Sequence, residues 1–320
     1  VSVLSKPYFH DEAEAFRFVE GILWATGPVC PHCGGFERIY DLAKSRIGLR
    51  KCGQCRKQFT VRVGTIFEDS HLPMTKWLQA IYLMCASKKG VSSLQLSRVL
   101  EVTYKTAWFL THRIREAMRA GELGPFGMGG ATVEVDETFI GSDPDAPAPK
   151  KGKGRTIKQM MKVVTLVERE TGRARSIVVD KYTIQDIVPI VEANLSCEAR
   201  LITDESKLYT VMGRGYRSHE TVVHSKDEYV RYDGTARYIT TNTVEGYFSV
   251  FKRGMKGVYQ HCGKKHLHRY LAEFDFRYSY RSALGVEDQE RAVWALKGFA
   301  GKRLTYRRPD QGAEAAQGQV

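Results

Sequence analysis

The chain contains no run of about 18 apolar residues, so no segment is expected to span a bilayer as a helix. Its first residues, "VSVLSKPYFHDEAEAF", lack the apolar core of a secretory signal. They also lack an initiating Met, which leaves the true start open. Cysteine is scarce: there are seven, and only four fall into tight pairs. That pattern excludes a secreted disulfide framework and makes the cytoplasm the expected location. Acidic residues are in deficit, 36 against 49 basic ones, for a formal charge of +13. Such an excess of positive charge selects no fold, but it favours polyanionic partners, nucleic acid first. No internal repeat is visible.

What is present divides the 320 residues into several parts. Residues 1–25 hold a short helix over 11–24, with Asp11 as its cap and Phe16, Val19 and Leu23 as its apolar stripe. Residues 26–64 combine short strands, glycines and the paired cysteines, and residues 65–120 are helical in pattern. The stretch "GELGPFGMGG" (121–130) holds five glycines and a proline and reads as a domain linker. An α/β pattern follows over 131–285. Strands are expected at 132–140, 162–168, 173–180, 199–203 and 221–224, and helices at 183–195, at 205–212 and from about 242. Residues 142–158 form a polar loop, and residues 286–320 supply a last helix and a disordered tail.

The cysteine pairs are "CPHC" and "CGQC", with Cys30 and Cys33 separated from Cys52 and Cys55 by eighteen residues. Each pair sits at a turn that aims two thiolates at one point. Four thiolates make the closed tetrahedral site of structural Zn²⁺, and the intervening hairpin pattern specifies a zinc ribbon. Redox pairs are the competing explanation, but such a pair comes singly beside a βαβ pattern.

Residues 91–119 read as helix, turn at "EVT" and second helix, with Ser92 or Ser93 and Thr103 as caps. Leu94, Leu96, Val99, Leu100, Ala107, Leu110 and Ile114 are expected to face a core. Lys105, His112, Arg113 and Arg115 are left for DNA, as in a helix-turn-helix whose second helix enters the major groove. A plain helical hairpin has the same pattern.

Three acids stand out in the α/β part. Asp136 lies within the strand "ATVEVDETFIG", Asp204 ends the strand "ARLITD", and Glu245 lies in "NTVEGYFSVFKRGMKG". Lys252 follows Glu245 by two helical turns on the same face, while Val244, Phe248, Phe251 and Met255 form the adjoining apolar face. Each acid alone has a structural explanation, and Asn242 with Glu245 reads as a capping box. Together, from two strands and a helix, they suit two Mg²⁺ ions, with Mn²⁺ as substitute, acting on a phosphodiester. Lys252, with Arg253 and Lys256 beside it, would then meet DNA phosphate.

With "VEVDETFIG", "ITDESKLY" and "NTVEGYFSVFKRGMKGVYQHCGKKHLHRYLAEFDFRYSYR" behind "CPHCGG", the chain resembles DDE-type insertion-sequence transposases of the ISXO-like group over most of residues 12–285. The resemblance implies a zinc ribbon ahead of an RNase H-like catalytic domain. It implies binding to the terminal inverted repeats of an element, cleavage by water, and attack of the freed 3′-hydroxyl on target DNA. It also implies a bacterial, nucleoid-associated setting and at least a homodimer in the complex that joins two ends. Asp136 and Asp204 carry over as metal ligands and Lys252 as a DNA contact. The group's third ligand varies among Asn, His and Glu, so Glu245 is the expectation and Asn242 the alternative. The competing functions are a catalytically silent, repurposed DNA-binding protein and a structure-specific nuclease on the same fold.

Overall fold

The computed structural model describes residues 2–119, 124–148, 154–210, 212–232, 234, 238–302 and 304. Parts of the expected linker and polar loop, and the expected tail beyond residue 306, lie outside the described residues. Two compact units are present. The first joins Val1–Met84, Ser93–Ala117 and Ala292–Val320, and the second joins Cys85–Ser92 to Met118–Arg291.

In the first unit, helix α1 (Glu12–Leu23) starts where expected, with the Asp11 carboxylate accepting the Glu14 N–H at 2.8 Å. Three short antiparallel strands follow in the order β1–β2–β3 (Ile39–Asp41, Arg50–Cys52, Gln58–Phe59). Turns flank them: the Gly34 N–H donates to the Cys30 carbonyl at 2.9 Å, and the Gly53 N–H to that of Arg38 at 2.7 Å. Helix α2 (Met74–Ala86) is capped from α1, since Glu12 accepts the N–H groups of Met74 and Thr75 at 2.7 and 3.1 Å.

Helices α3 (Ser93–Val99) and α4 (Tyr104–Met118) form the expected pair, with the Thr103 hydroxyl accepting the Thr106 N–H at 3.2 Å. Leu96, Leu100, Ala107, Leu110 and Ile114 are buried as expected, but Leu94 and Val99 are 55% and 57% exposed. The correction on the other side is larger. His112, Arg113 and Arg115 are buried, which removes them from any phosphate-facing surface. The His112 ring packs 4.1 Å from that of Trp108, Arg113 donates to the Leu304 carbonyl at 3.0 Å, and Arg115 donates to the Thr111 hydroxyl at 3.1 Å. Helix α4 is enclosed on more than one stripe, a burial that a two-helix amphipathic pattern does not anticipate. Lys105 is exposed.

The second unit is built on a five-stranded mixed sheet in the order β6–β5–β4–β7–β8. Its strands are β4 (Thr132–Ile140), β5 (Met161–Glu168), β6 (Ala174–Val179), β7 (Arg200–Asp204) and β8 (Ser218–Val222). Strand β5 is antiparallel to both neighbours, while β4, β7 and β8 run parallel. This is the expected α/β, RNase H-like architecture. Helices α5 (Ile184–Asn194) and α6 (Lys207–Thr210) lie on the chain between β6 and β8. A small hairpin, β9 (Arg231–Tyr232) with β10 (Tyr238–Ile239), precedes α7 (Asn242–Gly254). A π-turn over Met255–Tyr259 then leads to α8 (Lys264–Ser279). Helix α9 (Asp288–Lys297) is the last regular element among the described residues.

The sheet divides two cores. One face packs Val133, Val135, Val164 and Leu166 with Ile187 and Val191 of α5. The other packs Ile140, Met161, Val163 and Val167 with Val244, Tyr247, Phe248, Phe251 and Met255, the apolar face expected of α7. Alternation along β4 therefore sends its valines to α5 and its even-numbered side chains, Glu134 and Asp136, toward α7.

Candidate active site

Strands β4 and β7 pair in parallel through Thr132 with Arg200, Val133 with Leu201 and Glu134 with Ile202. Two residues further along both strands stand Asp136 and Asp204, level with one another where β7 ends. A carboxylate from each, with one from Glu137, falls within a group whose atoms all lie within 4.8 Å of one another. Asp136 Oδ1 accepts the Glu137 N–H at 2.7 Å, and Asp204 Oδ1 accepts the Ser206 N–H at 3.0 Å.

Glu137 was not singled out from the sequence, because as the neighbour of Asp136 it belongs to the opposite face of the strand. Its side chain reaches the same point from the Tyr209 side. Its Oε1 is buried, and no group among the described residues meets it at hydrogen-bond distance. Burial is the largest influence on all three acids. It pushes Asp136 up to about 7, against the Glu137 N–H and with the charges of Asp204 and Glu245 adding to the rise. It pushes Glu137 up to about 8, a rise that the nearby Tyr209 hydroxyl opposes and Asp136 and Asp204 enlarge. Asp204 is raised too, by burial and by Glu205.

Helix α7 supplies the remaining residues. Glu245 and Lys252 lie near enough to act on Asp136, one raising and the other lowering its proton affinity. Glu245 stands outside the compact acid group among the described residues. Its Oε1 accepts the Thr241 hydroxyl at 2.8 Å and lies 3.4 Å from His224 Nε2. The anticipated capping box is absent: Asn242 is the first helical residue, exposed, and the cap residue is Thr241. Lys252 is half-buried, with its ammonium 5.9 Å from the centre of the Phe248 ring, and Arg253 and Lys256 are exposed.

Beneath α7 a polar layer ties it to the sheet. Thr165, opposite Asp136 in the β4–β5 pair, shares a 2.9 Å hydrogen bond with Ser176. Ser176 and Tyr247 of α7 both donate to the half-buried Asp275 carboxylate, at 2.7 and 2.6 Å.

The first unit holds the second candidate site. Cys30, Cys33, Cys52 and Cys55 bring their sulfurs together, with Sγ pairs at 3.6 Å (Cys30–Cys55) and 3.7 Å (Cys33–Cys52). Four sulfurs bound to zinc at about 2.3 Å stand about 3.8 Å apart, so the cradle fits that ion. The backbone N–H groups of Cys55 and Gln54 lower the Cys52 thiol to about 7, which favours the thiolate a metal needs.

Residues 10–58 match the transposase zinc-ribbon domain, and residues 128–279, which contain every acid described above, match the ISXO2-like transposase domain. The two models together cover more than half of the chain. The chain belongs to the ISXO2-like transposase family. A relative of this transposase is an uncharacterized protein in transposable element ISH50 of Halobacterium salinarum. It is 27% identical over 285 residues, covering 84% of this chain and 91% of that protein. Among solved structures, the Drosophila P element transposase strand transfer complex aligns with 72% of this chain and 65% of its own. That likeness has 8% identity and a TM-score of 0.27. Among the described residues of this transposase, no helix is long and apolar enough to cross a membrane.

Proposed function

We propose that this transposase binds the terminal inverted repeats of its insertion sequence, cleaves the phosphodiester at each end, and joins the freed end to target DNA. The observation that carries the reading is the meeting of Asp136, Glu137 and Asp204 at the ends of two parallel strands within the transposase domain. Three half-buried carboxylates with raised proton affinities, one with an orphaned oxygen among the described residues, are the donor set a hard divalent cation requires. Asp136 and Asp204 would hold two Mg²⁺ ions, with Glu245 as the third ligand from α7 and Asn242 as the alternative. Bound there, the ions supply Lewis-acid stabilisation of charge on the phosphate oxygens.

The chain's own groups set up the reaction around that point. Lys252, on the same helix face as Glu245, approaches a DNA phosphate as a point charge. Arg253 and Lys256 on the same helical segment add positive charge beside it, and Lys105 of the first unit is a separate DNA contact. In the first step the oxygen of water bonds to phosphorus, the P–O3′ bond breaks, and the 3′-oxygen leaves with a proton. In the second, that 3′-oxygen bonds to a target phosphorus and the target's own 3′-oxygen leaves. Both ends must be present together for the second step, so at least a homodimer assembles on DNA.

The test is strand cleavage of the element's end DNA with Mg²⁺ or Mn²⁺, comparing the parent with Asp204→Asn, Glu245→Gln and Asn242→Ala. The expected result is cleavage by the parent and Asn242→Ala, none by the other two, and end binding by all four. Cleavage that survives Glu245→Gln but not Asn242→Ala moves the third ligand to Asn242. Binding without cleavage by the parent would establish a DNA-binding protein without chemistry instead.

A further inference from the structure

Glu134 lies two residues before Asp136 in β4 and is completely buried. A carboxylate in that position is costly unless every oxygen is used. Both are used, and neither on its own strand. Oε2 accepts the N–H groups of Thr243 and Val244, the second and third residues of α7, at 2.9 Å each. Oε1 accepts Nε of Arg169, and the same guanidinium donates to the carbonyls of Tyr238 and Thr240, which lead into the helix. Glu134 and Arg169 thus clasp the start of α7 to the strand that carries Asp136.

Those two N–H groups are the ones a local cap side chain normally satisfies. Thr241 occupies the cap position and makes no such bond. Its hydroxyl turns instead to Glu245 and donates to Oε1 at 2.8 Å. The N-terminal charge of the helix is therefore met from another strand, 109 and 110 residues away in sequence, and the local hydroxyl is released to hold Glu245.

We infer that Glu134 is a positioning residue: by capping α7 from β4 it frees Thr241 to orient Glu245 beside Asp136 and Asp204. It fixes one acidic strand and the acid-bearing helix as a unit. The inference rests on the proposed divalent-ion site, and its test is designed to separate the two.

Mn²⁺ binding to the full-length protein without DNA, followed by electron paramagnetic resonance, is the measurement. It is made on the parent, Glu134→Gln, Thr241→Val and the double variant, with Asp136→Asn as the control and thermal unfolding recorded for each. A glutamine cannot accept from all three donors, so Glu134→Gln is expected to weaken the Asp136-dependent Mn²⁺ binding about tenfold. Thr241→Val, which keeps shape and removes only the hydroxyl, is expected to give a similar shift with little change in Tm. The double variant should bind about as weakly as the weaker single one, since both changes act through Glu245. Lower Tm with parental Mn²⁺ affinity in both single variants overturns the inference and makes Glu134 a purely structural cap. If Glu134→Gln does not fold, Thr241→Val decides alone, and parental affinity there overturns it. A parent indistinguishable from Asp136→Asn would remove the metal site itself, and with it both readings.

Discussion

His224 Nε2 lies 3.4 Å from Glu245 Oε1 and 3.3 Å from the Thr241 hydroxyl, so one oxygen of the proposed third ligand is held from two sides. Replacing His224 with Ala removes a half-exposed neighbour and should change stability by less than about 1 kcal/mol. The carboxylate would gain rotational freedom. The expected outcome is a few-fold rise in the Mg²⁺ concentration that half-saturates cleavage, with end-DNA affinity unchanged. A loss of DNA binding instead would place His224 on the DNA.

The acids of the site predict a pH dependence with a definite sign. Asp136 and Glu137 are raised to about 7 and about 8, and Asp204 is raised as well. A folded state that holds protons which the unfolded chain has released loses stability as pH rises. The metal-free protein is therefore expected to lose Tm between about pH 5 and about pH 8 through these groups. Divalent ions replace the protons, so the Tm gained on adding Mg²⁺ should grow over the same interval. Calorimetry in buffers of different ionisation heat would count the protons released; none released on binding would contradict the assignment.

The ribbon is predicted to depend on zinc. Its buried core is small: Cys30, Cys52 and Phe59, with Trp24, Ile39, Cys55 and Val63 partly covered. The ion pairs of Arg50 with Glu20 and Asp41, at 2.8 and 3.1 Å, add at most about 1 kcal/mol each. Elemental analysis should find one zinc per chain, and chelation or Cys52→Ser should abolish amide protection over β1–β3. Protection in β4–β8 should persist.

Gly254 ends α7 where a side chain has no room. A Cβ there would meet the Phe274 ring at 2.5 Å and the Lys89 carbonyl at 2.6 Å. Gly254→Ala is expected to cost about 1–3 kcal/mol in urea unfolding, against the usual gain from Ala in a helix. A neutral or stabilising result would show that α8 yields at that point.

Much of the catalytic domain was legible from local pattern. Four of the five sheet strands lie within a residue of their expected places, β4 to the residue, because a half-polar strand exposes its period directly, while β8 begins three residues before the expected 221–224. Asp136 and Asp204 are conspicuous as acids in strands of a largely buried sheet, and the fold brings their carboxylates together. Glu134 and Glu137 lie close to Asp136 and share its chemistry, but Glu134 is held by a helix start more than a hundred residues on and Glu137 only lies near a buried tyrosine, and nothing local marks either. The capping box at Asn242 failed on the same account, since a distant carboxylate had taken the cap. Arg113 and Arg115 look like surface charge in sequence, yet a backbone carbonyl at Leu304 and a hydroxyl at Thr111 give them interior places.

From Ala292 on, the last helix and the described residues after it belong to the first unit. Phe299 packs its ring 5.0 Å from that of Phe67, Ala300 bridges to Thr65, and the Gly301 N–H donates to the Gly64 carbonyl at 3.0 Å. A ribosome releases these residues only after the whole catalytic sheet. The cysteine-bearing unit therefore stays incomplete while the acidic domain is synthesised, and a chain interrupted before Phe299 would carry every acid of the site but lack part of the first unit's core.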